Sequence, residues 1–240
     1  MKISAAIAAS GVLSLMIVSS CSNTLPTGES PTEPPKKMTG PINYFALGDS
    51  TGAGVGARNG GYVARLFTRI DLQQPDSTLT NLCVSGATTE DVLRGQLGPA
   101  IRKQPNLVTL GIGINDIGHG ISVERFSKNY EQIVSRLKNE TSATIVVSNI
   151  PDVSTAPSIP TYIRAEYLRR IMTFNERLEE IARRHGVEIF DVFNATHKQL
   201  EARPELFSAD GFHPSDGGYE LWAELMWPTV ARASGLDWKG

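Results

Sequence analysis

The sequence has few cysteines, no excess of basic residues and no long apolar run, and each absence excludes a class of protein. Two cysteines in 240 residues cannot build the disulfide framework of a small secreted scaffold. The 23 Lys and Arg residues are balanced by 25 Asp and Glu residues, so the chain lacks the basic excess of a nucleic-acid binder. The longest apolar stretch, residues 3–18, is shorter than the about 20 residues that a membrane-spanning helix needs.

Sequence signals for a metal site are also missing. The chain has no His-Glu-x-x-His motif, no cysteine cluster and no group of closely spaced carboxylates. Its 40% content of hydrophobic residues is enough to fill a core. We therefore expect a folded protein that holds no metal ion.

The N-terminus has the features of a targeting signal. Lys2 precedes the apolar stretch 3–18, a pattern typical of a signal peptide. The sequence Val18-Ser19-Ser20-Cys21 resembles the lipobox of bacterial lipoproteins, in which the cysteine is acylated and becomes the first mature residue. The resemblance implies a signal peptide over residues 1–20 and a lipid anchor on Cys21. An ordinary signal peptide with an incidental cysteine is the alternative.

The segment after Cys21 is polar and rich in proline, with five prolines between Pro26 and Pro41. This composition predicts an extended linker over residues 21–41, followed by one folded domain over residues 42–240. A lipid anchor implies an extracytoplasmic protein held on a bacterial membrane. By resemblance to Gram-negative lipoproteins, Ser22 directly after the cysteine indicates the outer membrane if the source is Gram-negative.

The folded domain alternates short apolar runs with helical patterns. Short runs without strict alternation are typical of strands that are covered on both faces, so we expect an α/β fold with a parallel sheet. Helical spacing of apolar residues follows Val123, Ile163 and Pro214. The predicted strands cover residues 42–47, 79–84, 107–110, 143–147 and 187–190.

Polar residues follow the predicted strands at the edge where α/β proteins form their sites. Ser50 follows the first strand, Gly86 the second and Asn115 the third, while Asp210 and His213 precede the last helix. An acidic residue three positions before a histidine can orient the imidazole as a base for a serine nucleophile. The backbone N–H groups of Ser50 and Gly86 and the side-chain amide of Asn115 could stabilise an oxyanion.

These blocks resemble the SGNH hydrolase family, also called GDSL-type esterases and lipases. The matching motifs are Gly48-Asp49-Ser50, Gly86, Gly113-x-Asn115-Asp116 and Asp210-x-x-His213, in the family's order. The resemblance implies a three-layer, flavodoxin-like fold with a five-stranded parallel sheet of order 2-1-3-4-5 and no cofactor. Thr51 stands where the family's short name has leucine.

The resemblance implies a serine esterase with Ser50, His213 and Asp210 as a catalytic triad and Ser50, Gly86 and Asn115 as oxyanion donors. Its substrates would be lipid acyl esters, as in lysophospholipases and thioesterases, or short-chain esters. A carbohydrate or cell-wall O-deacetylase of the same family is the main alternative, and a non-catalytic surface-binding lipoprotein is the second. We expect a monomer whose partners are the substrate and the membrane.

Two other motif matches compete for the same residues. Gly48-Asp49-Ser50-Thr51-Gly52 fits the nucleophile elbow of α/β-hydrolases, but there the elbow follows several strands. Residues 52–57 fit a dinucleotide fingerprint, but the glycines do not follow the strand directly. We therefore disfavour both.

Three further residues have weaker indications. His119 and Asp152 lie in loops that could border the site, so they are candidates for lining the substrate pocket. Cys83 lies in an apolar strand, and we interpret it as a buried small residue rather than a nucleophile.

Overall fold

The computed structural model of the chain describes Met38 and residues 40–238. The predicted signal peptide, Cys21 and most of the linker lie outside these residues. Met38, the first described residue, is hydrogen-bonded to the domain: its N–H donates to the carbonyl of Ser234 at 3.3 Å. Among the described residues, no helix has the length and apolar composition that a membrane span requires.

A five-stranded parallel sheet forms the middle layer, and its order β2-β1-β3-β4-β5 confirms the predicted 2-1-3-4-5 topology. The strands are β1 (Asn43–Gly48), β2 (Thr78–Asn81), β3 (Leu107–Gly111), β4 (Thr144–Ser148) and β5 (Glu188–Phe190).

Helices cover both faces of the sheet. They are α1 (Ser50–Ala53), α2 (Tyr62–Gln73), α3 (Thr89–Asp91), α4 (Leu97–Arg102), α5 (Ile114–Gly118), α6 (Val123–Glu140), α7 (Arg164–Arg184), α8 (Val192–Ala202) and α9 (Asp216–Ser234). A π-helical turn, Val92–Gln96, joins α3 to α4. Single 3₁₀ turns at Thr161–Ile163 and Pro204–Leu206 precede α7 and α9.

Alternate residues of each central strand enter opposite cores. Phe45 and Leu47 of β1 join the core under α6 and α7, whereas Tyr44 and Ala46 join the core under α2 and α9. Because both faces of the strand are buried, its sequence is apolar at nearly every position. This arrangement gives the predicted three layers and leaves the strand-end loops to form a site.

The long helices form where the spacing of apolar residues predicts them. In α6, the side chains of Phe126, Tyr130, Ile133 and Leu137 are three or four positions apart and fully buried. Ser122 caps the start of this helix by accepting a hydrogen bond from the N–H of Arg125 at 3.3 Å.

The second strand differs from its prediction over residues 79–84, because it ends at Asn81. Beyond that point the side chain of Asn81 accepts a hydrogen bond from the N–H of Cys83 at 3.1 Å. This local bond turns the chain out of regular strand geometry, although Val84 N–H still donates to the carbonyl of Gly48 at 3.1 Å. The loop that carries Gly86 therefore begins beside the end of β1.

Candidate active site

The turn after β1 presents Ser50 at the start of α1. Asp49 is the N-cap of this short helix, and its Oδ1 accepts hydrogen bonds from the N–H of Thr51 at 2.9 Å and the Oγ1 of Thr51 at 2.8 Å. These bonds hold the backbone on both sides of the serine. The position of Ser50 at the end of β1 is thus determined by local capping as well as by the sheet.

Ser50, His213 and Asp210 form a continuous hydrogen-bonded chain, as the motifs predict. Ser50 Oγ lies 2.9 Å from His213 Nε2, and His213 Nδ1 lies 2.7 Å from Asp210 Oδ2. An ionised carboxylate can only accept, so Nδ1 carries the proton and Nε2 is free to accept from the serine. This is the arrangement that a general base needs.

The carboxylate of Asp210 organises its own turn. Its Oδ1 accepts from the N–H groups of Phe212 at 2.8 Å and His213 at 2.9 Å, and from Ser208 Oγ at 2.9 Å. Burial opposes ionisation of Asp210, but the hydrogen bonds from His213, Phe212 and Ser208 outweigh it and hold its pKa below the usual range. Asp210 is therefore charged wherever the imidazole can act as a base.

Gly56 allows the loop after α1 to pass close beneath the His213 turn. Its φ of +93° favours glycine, and a Cβ there would lie 2.7 Å from the carbonyl of Pro214 and 2.9 Å from His213 Cβ. Gly56 thus serves close packing against the turn of Asp210 and His213, whereas Gly52 lies against Cys83 and Gly54 against Gly61.

The three predicted oxyanion donors come from neighbouring loops. Among the described residues, the N–H groups of Ser50 and Gly86 have no hydrogen-bond acceptor. The side-chain amide of Asn115 donates to the carbonyl of Ala87 at 2.9 Å, which ties Asn115 to the residue after Gly86. This bond links the segments that follow β2 and β3.

Residues 46–221 match the model of the GDSL-like lipase/acylhydrolase family. The chain belongs to this family. Membership confirms the resemblance carried by the four sequence motifs.

One relative of this GDSL-like chain is the GDSL-like esterase Rv1075c of Mycobacterium tuberculosis (strain ATCC 25618 / H37Rv). The two are 28% identical over 196 residues, a match that spans 77% of this chain and 60% of the relative. The chain therefore matches only about three fifths of that protein's length.

Solved structures with the same fold include Axe2, an acetylxylan esterase from Geobacillus stearothermophilus, and LAE5, an alpha/beta hydrolase enzyme from the metagenome of Lake Arreo, Spain. Axe2 is 19% identical with a TM-score of 0.67, covering 85% of this chain and 98% of Axe2. LAE5 is 21% identical with a TM-score of 0.66, covering 82% of this chain and 98% of LAE5. These likenesses show the fold.

Family membership and topology together exclude the two competing motif interpretations. In this GDSL-like chain Ser50 follows the first strand of the sheet, so the α/β-hydrolase elbow, which follows several strands, does not apply. Gly52 lies inside α1 and Gly54 ends it, so these glycines do not open a phosphate-binding helix directly after a strand.

Among the described residues, neither His119 nor Asp152 is hydrogen-bonded to Ser50, His213 or Asp210. His119 is exposed at the C-terminal end of α5, where its N–H donates to the carbonyl of Asn115 at 2.8 Å. Asp152 is 1% exposed, and its carboxylate accepts from His197 Nδ1 at 2.7 Å and from the N–H of Ser154 at 2.9 Å. Neither residue lines the cavity beside His213 described below.

Cys83 packs beneath the nucleophile turn. A Cβ atom on Gly52 would lie 2.4 Å from its Sγ, so the thiol fills the space next to α1. Burial raises the pKa of Cys83, which keeps the thiol protonated at neutral pH. Both observations fit a packing role.

An apolar cavity of about 50 Å³ lies beside the triad. His213 lines it, together with Asp49 and Thr51, the two neighbours of Ser50. Most of its other walls are apolar side chains from α5, the loop after β4, α8, the turn before α9 and α9 itself, including Ile114, Ile150, Leu200, Phe212 and Leu221. A small apolar group next to the nucleophile could occupy this space.

Sequence reasoning missed a buried network behind the oxyanion donors. Asp116 is fully buried and accepts from the N–H of Thr89 at 3.0 Å and from Thr89 Oγ1 at 2.6 Å, while Asn129 Nδ2 donates to the same hydroxyl at 3.1 Å. Burial raises the pKa of Asp116 despite these bonds. The Asn115-Asp116 motif indicated that Asp116 lies near the site. Nothing in the sequence indicated that Thr89, 27 residues away, is its hydrogen-bond partner.

Asp49 differs electrostatically from Asp210. It is 2% exposed, and burial raises its pKa to about 6, although hydrogen bonds from Thr51 and the nearby His213 act in the opposite direction. The folded protein therefore binds this proton more tightly than the unfolded chain. As the pH rises from 4 to 6, the unfolded chain loses its proton first, so ionisation of Asp49 lowers stability across this window.

We predict that Asp49→Asn becomes stabilising relative to wild type as the pH increases. Asparagine caps a helix as well as aspartate but carries no charge. A shift of about two pKa units corresponds to roughly 3 kcal/mol, so the free energy of unfolding of the variant minus wild type should increase by about that amount between pH 4 and pH 7. Urea denaturation at a series of pH values measures it.

The exposed Asp71 supplies the control, since Asp71→Asn removes the same charge from the surface of α2. The assignment would be contradicted if the effect of Asp49→Asn on the free energy of unfolding changed with pH no more than the effect of Asp71→Asn does.

Proposed function

We propose that this chain is a serine carboxylic-ester hydrolase. The observation that carries the proposal is the chain of hydrogen bonds from Ser50 Oγ through His213 to Asp210, at 2.9 Å and 2.7 Å. His213 Nε2 takes the hydroxyl proton while Ser50 Oγ attacks the ester carbonyl carbon. Three N–H donors, from Ser50, Gly86 and Asn115, stabilise the resulting oxyanion.

The rest of the cycle uses the same groups. The C–O bond to the leaving alcohol breaks, and the imidazolium of His213 donates its proton to the alcohol oxygen. Water then attacks the acyl-enzyme as His213 takes one of its protons, and the proton returns to Ser50 Oγ when the carboxylic acid leaves. No oxidant, reductant or cofactor enters this balance.

Replacing the serine or the base tests the proposal. We expect Ser50→Ala and His213→Gln to lower kcat roughly 10⁴–10⁶-fold, because members of a triad act as a unit. His197→Gln is the matched control, since His197 also pairs with a carboxylate at 2.7 Å but has no serine beside it. A fluorophosphonate should label wild type and His197→Gln at Ser50, and leave Ser50→Ala unlabelled.

Equal labelling of Ser50→Ala and wild type would remove the basis of the enzyme assignment. It would then favour the non-catalytic binding lipoprotein.

The cavity supports short acyl groups as substrates. Its volume of about 50 Å³ is small beside the roughly 300–1,000 Å³ of sites for drug-sized ligands, and its walls are mostly apolar, which favours a short acyl group over a long one. Its walls include His213 and both neighbours of Ser50, which supports binding of the acyl group there. Among the acyl esters considered, short-chain esters fit better than long lipid chains.

Chain-length dependence tests this preference. On p-nitrophenyl esters we expect kcat/KM to be highest at two to four carbons and to fall at least about tenfold by eight carbons, because each excess methylene must be excluded from the cavity. Leu221→Ala enlarges the cavity and should move the optimum to longer chains. Leu72→Ala, an exposed leucine on α2, should leave the profile unchanged.

A wild-type optimum at eight to twelve carbons would rule out acyl binding in this cavity.

Deacetylation of carbohydrate or cell-wall polymers is the second candidate. The small apolar cavity favours it as much as a simple short-chain esterase, and Axe2, a protein of similar fold, is an acetylxylan esterase. Faster release of acetate from acetylated xylan or peptidoglycan than from p-nitrophenyl acetate would favour this candidate.

We further propose that Cys21 anchors the enzyme to a bacterial membrane outside the cytoplasm. The lipobox-like sequence before Cys21 and the proline-rich linker after it support this location. A single acyl chain gives only marginal membrane binding, so stable attachment needs more than one chain. The linker would let the domain act at a distance from the bilayer.

Fractionation tests the anchor. The full-length chain produced in a bacterial host should partition into the detergent phase, and Cys21→Ser should move it to the aqueous phase, because the acylated thiol is lost. Cys83→Ser is the control, since Cys83 is a half-buried cysteine that packs against Gly52 of α1 in the folded domain. Equal partition of the Cys21→Ser variant and wild type would contradict lipidation.

A further inference from the structure

A buried glutamine is hydrogen-bonded to the end of the strand that precedes Ser50. Gln96 is 3% exposed; its Oε1 accepts from the N–H of Gly48 at 2.8 Å, and its Nε2 donates to the carbonyl of Gly48 at 2.8 Å. Both polar groups of one peptide residue are thus bonded by one side chain, two residues before Ser50.

The backbone at Gly48 has little room to shift and form other hydrogen bonds in place of those with Gln96. A Cβ at this position would lie 2.4 Å from the carbonyl oxygen of Gly111, so β1 is already in close contact with β3 on its other side. The side-chain amide of Gln96 therefore holds the end of β1 from the side of β2, where the regular strand pairing has ended at Asn81.

The segment that carries Gln96 begins at an oxyanion donor. Thr88, directly after Gly86-Ala87, is the N-cap of α3, and a capping box joins it to Asp91. The π-helical turn Val92–Gln96 then brings Gln96 to Gly48. One short helical segment therefore connects the loop of Gly86 to the strand of Ser50.

The same segment also holds the third donor. Thr89 binds Asp116 through its N–H and its hydroxyl, and the carbonyl of Ala87 accepts from Asn115 Nδ2. Asn115 is thus tied to residues 87–89, which Gln96 in turn ties to β1. All three proposed donors therefore lie in, or are connected by hydrogen bonds to, one segment, residues 86–96.

We propose that Gln96 is a positioning residue that sets the distance between the oxyanion donor of Ser50 and those of Gly86 and Asn115. This proposal rests on the proposed esterase function. Gln96 touches neither substrate nor nucleophile; it acts through Gly48. Displacing such a donor by about 1 Å can cost up to 10²-fold in rate, and the loss belongs to the transition state rather than to substrate binding.

Gln96→Met tests the proposal, because methionine has a similar volume but cannot make either hydrogen bond. We expect kcat on p-nitrophenyl acetate to fall about 10- to 100-fold with KM unchanged. The loss should shrink in the background of Asn115→Ala, since the variant then disturbs a hole that already lacks one donor.

Asn175 supplies a matched control for the loss of two buried hydrogen bonds. It binds Ile150 in the same bidentate way, with Oδ1 accepting from the N–H and Nδ2 donating to the carbonyl, both at 2.8 Å. Asn175→Leu should lower the unfolding midpoint about as much as Gln96→Met, but its effect on kcat should be additive with Asn115→Ala.

Gln96→Glu provides a second measurement if Gln96→Met does not fold. A protonated glutamic acid can donate and accept like glutamine, so the kcat of the variant relative to wild type should rise as the pH falls. A ratio that does not change with pH would count against the proposal.

The outcomes separate the two proposals. If Ser50→Ala keeps its activity, the esterase assignment fails. If Ser50 is essential but Gln96→Met leaves kcat unchanged, or lowers it additively with Asn115→Ala, the positioning role is overturned and Gln96 has only a structural role.

Discussion

Parallel pairing of β1 with both β2 and β3 is the constraint on which the site depends. In the order 2-1-3, the connections after β1 and β3 leave the sheet toward opposite faces, and a crevice opens between them. Ser50 follows β1, Gly86 follows β2 and Asn115 follows β3, so the three proposed oxyanion donors lie on the same edge of the sheet, where its parallel strands end. The His213 turn then closes the crevice from the start of α9.

Two carboxylates beside this crevice acquire opposite properties from their surroundings. Asp210 receives hydrogen bonds from His213, two backbone N–H groups and Ser208, and these keep its pKa low. Asp49 is buried beside an apolar cavity, and among the described residues its carboxylate is hydrogen-bonded to Thr51 alone, so burial raises its pKa to about 6. Environment, rather than residue type, makes one the partner of the base and the other a cap of the nucleophile turn.

Two kinds of side-chain interaction each occur twice in the molecule, once next to Ser50 and once elsewhere. His213–Asp210 and His197–Asp152 are both imidazole–carboxylate pairs at 2.7 Å, yet only the first has a serine at the free ring nitrogen. Gln96 and Asn175 each bind both polar groups of one backbone residue, yet only Gly48 leads into the nucleophile. Such pairs provide internal controls for separating catalysis from stability.

What the sequence determined by itself depends on short-range patterns. The strands, the long helices and the turn of Asp210 and His213, three residues apart, follow from periodicity and local hydrogen bonds, and the order of motifs indicated Ser50 and Asn115. Only the tertiary structure decided the pairing of Asp152 with His197, the two hydrogen bonds between Gln96 and Gly48, and the cavity beside His213. These contacts join residues far apart in the chain, so they depend on how the layers pack, which no local pattern records.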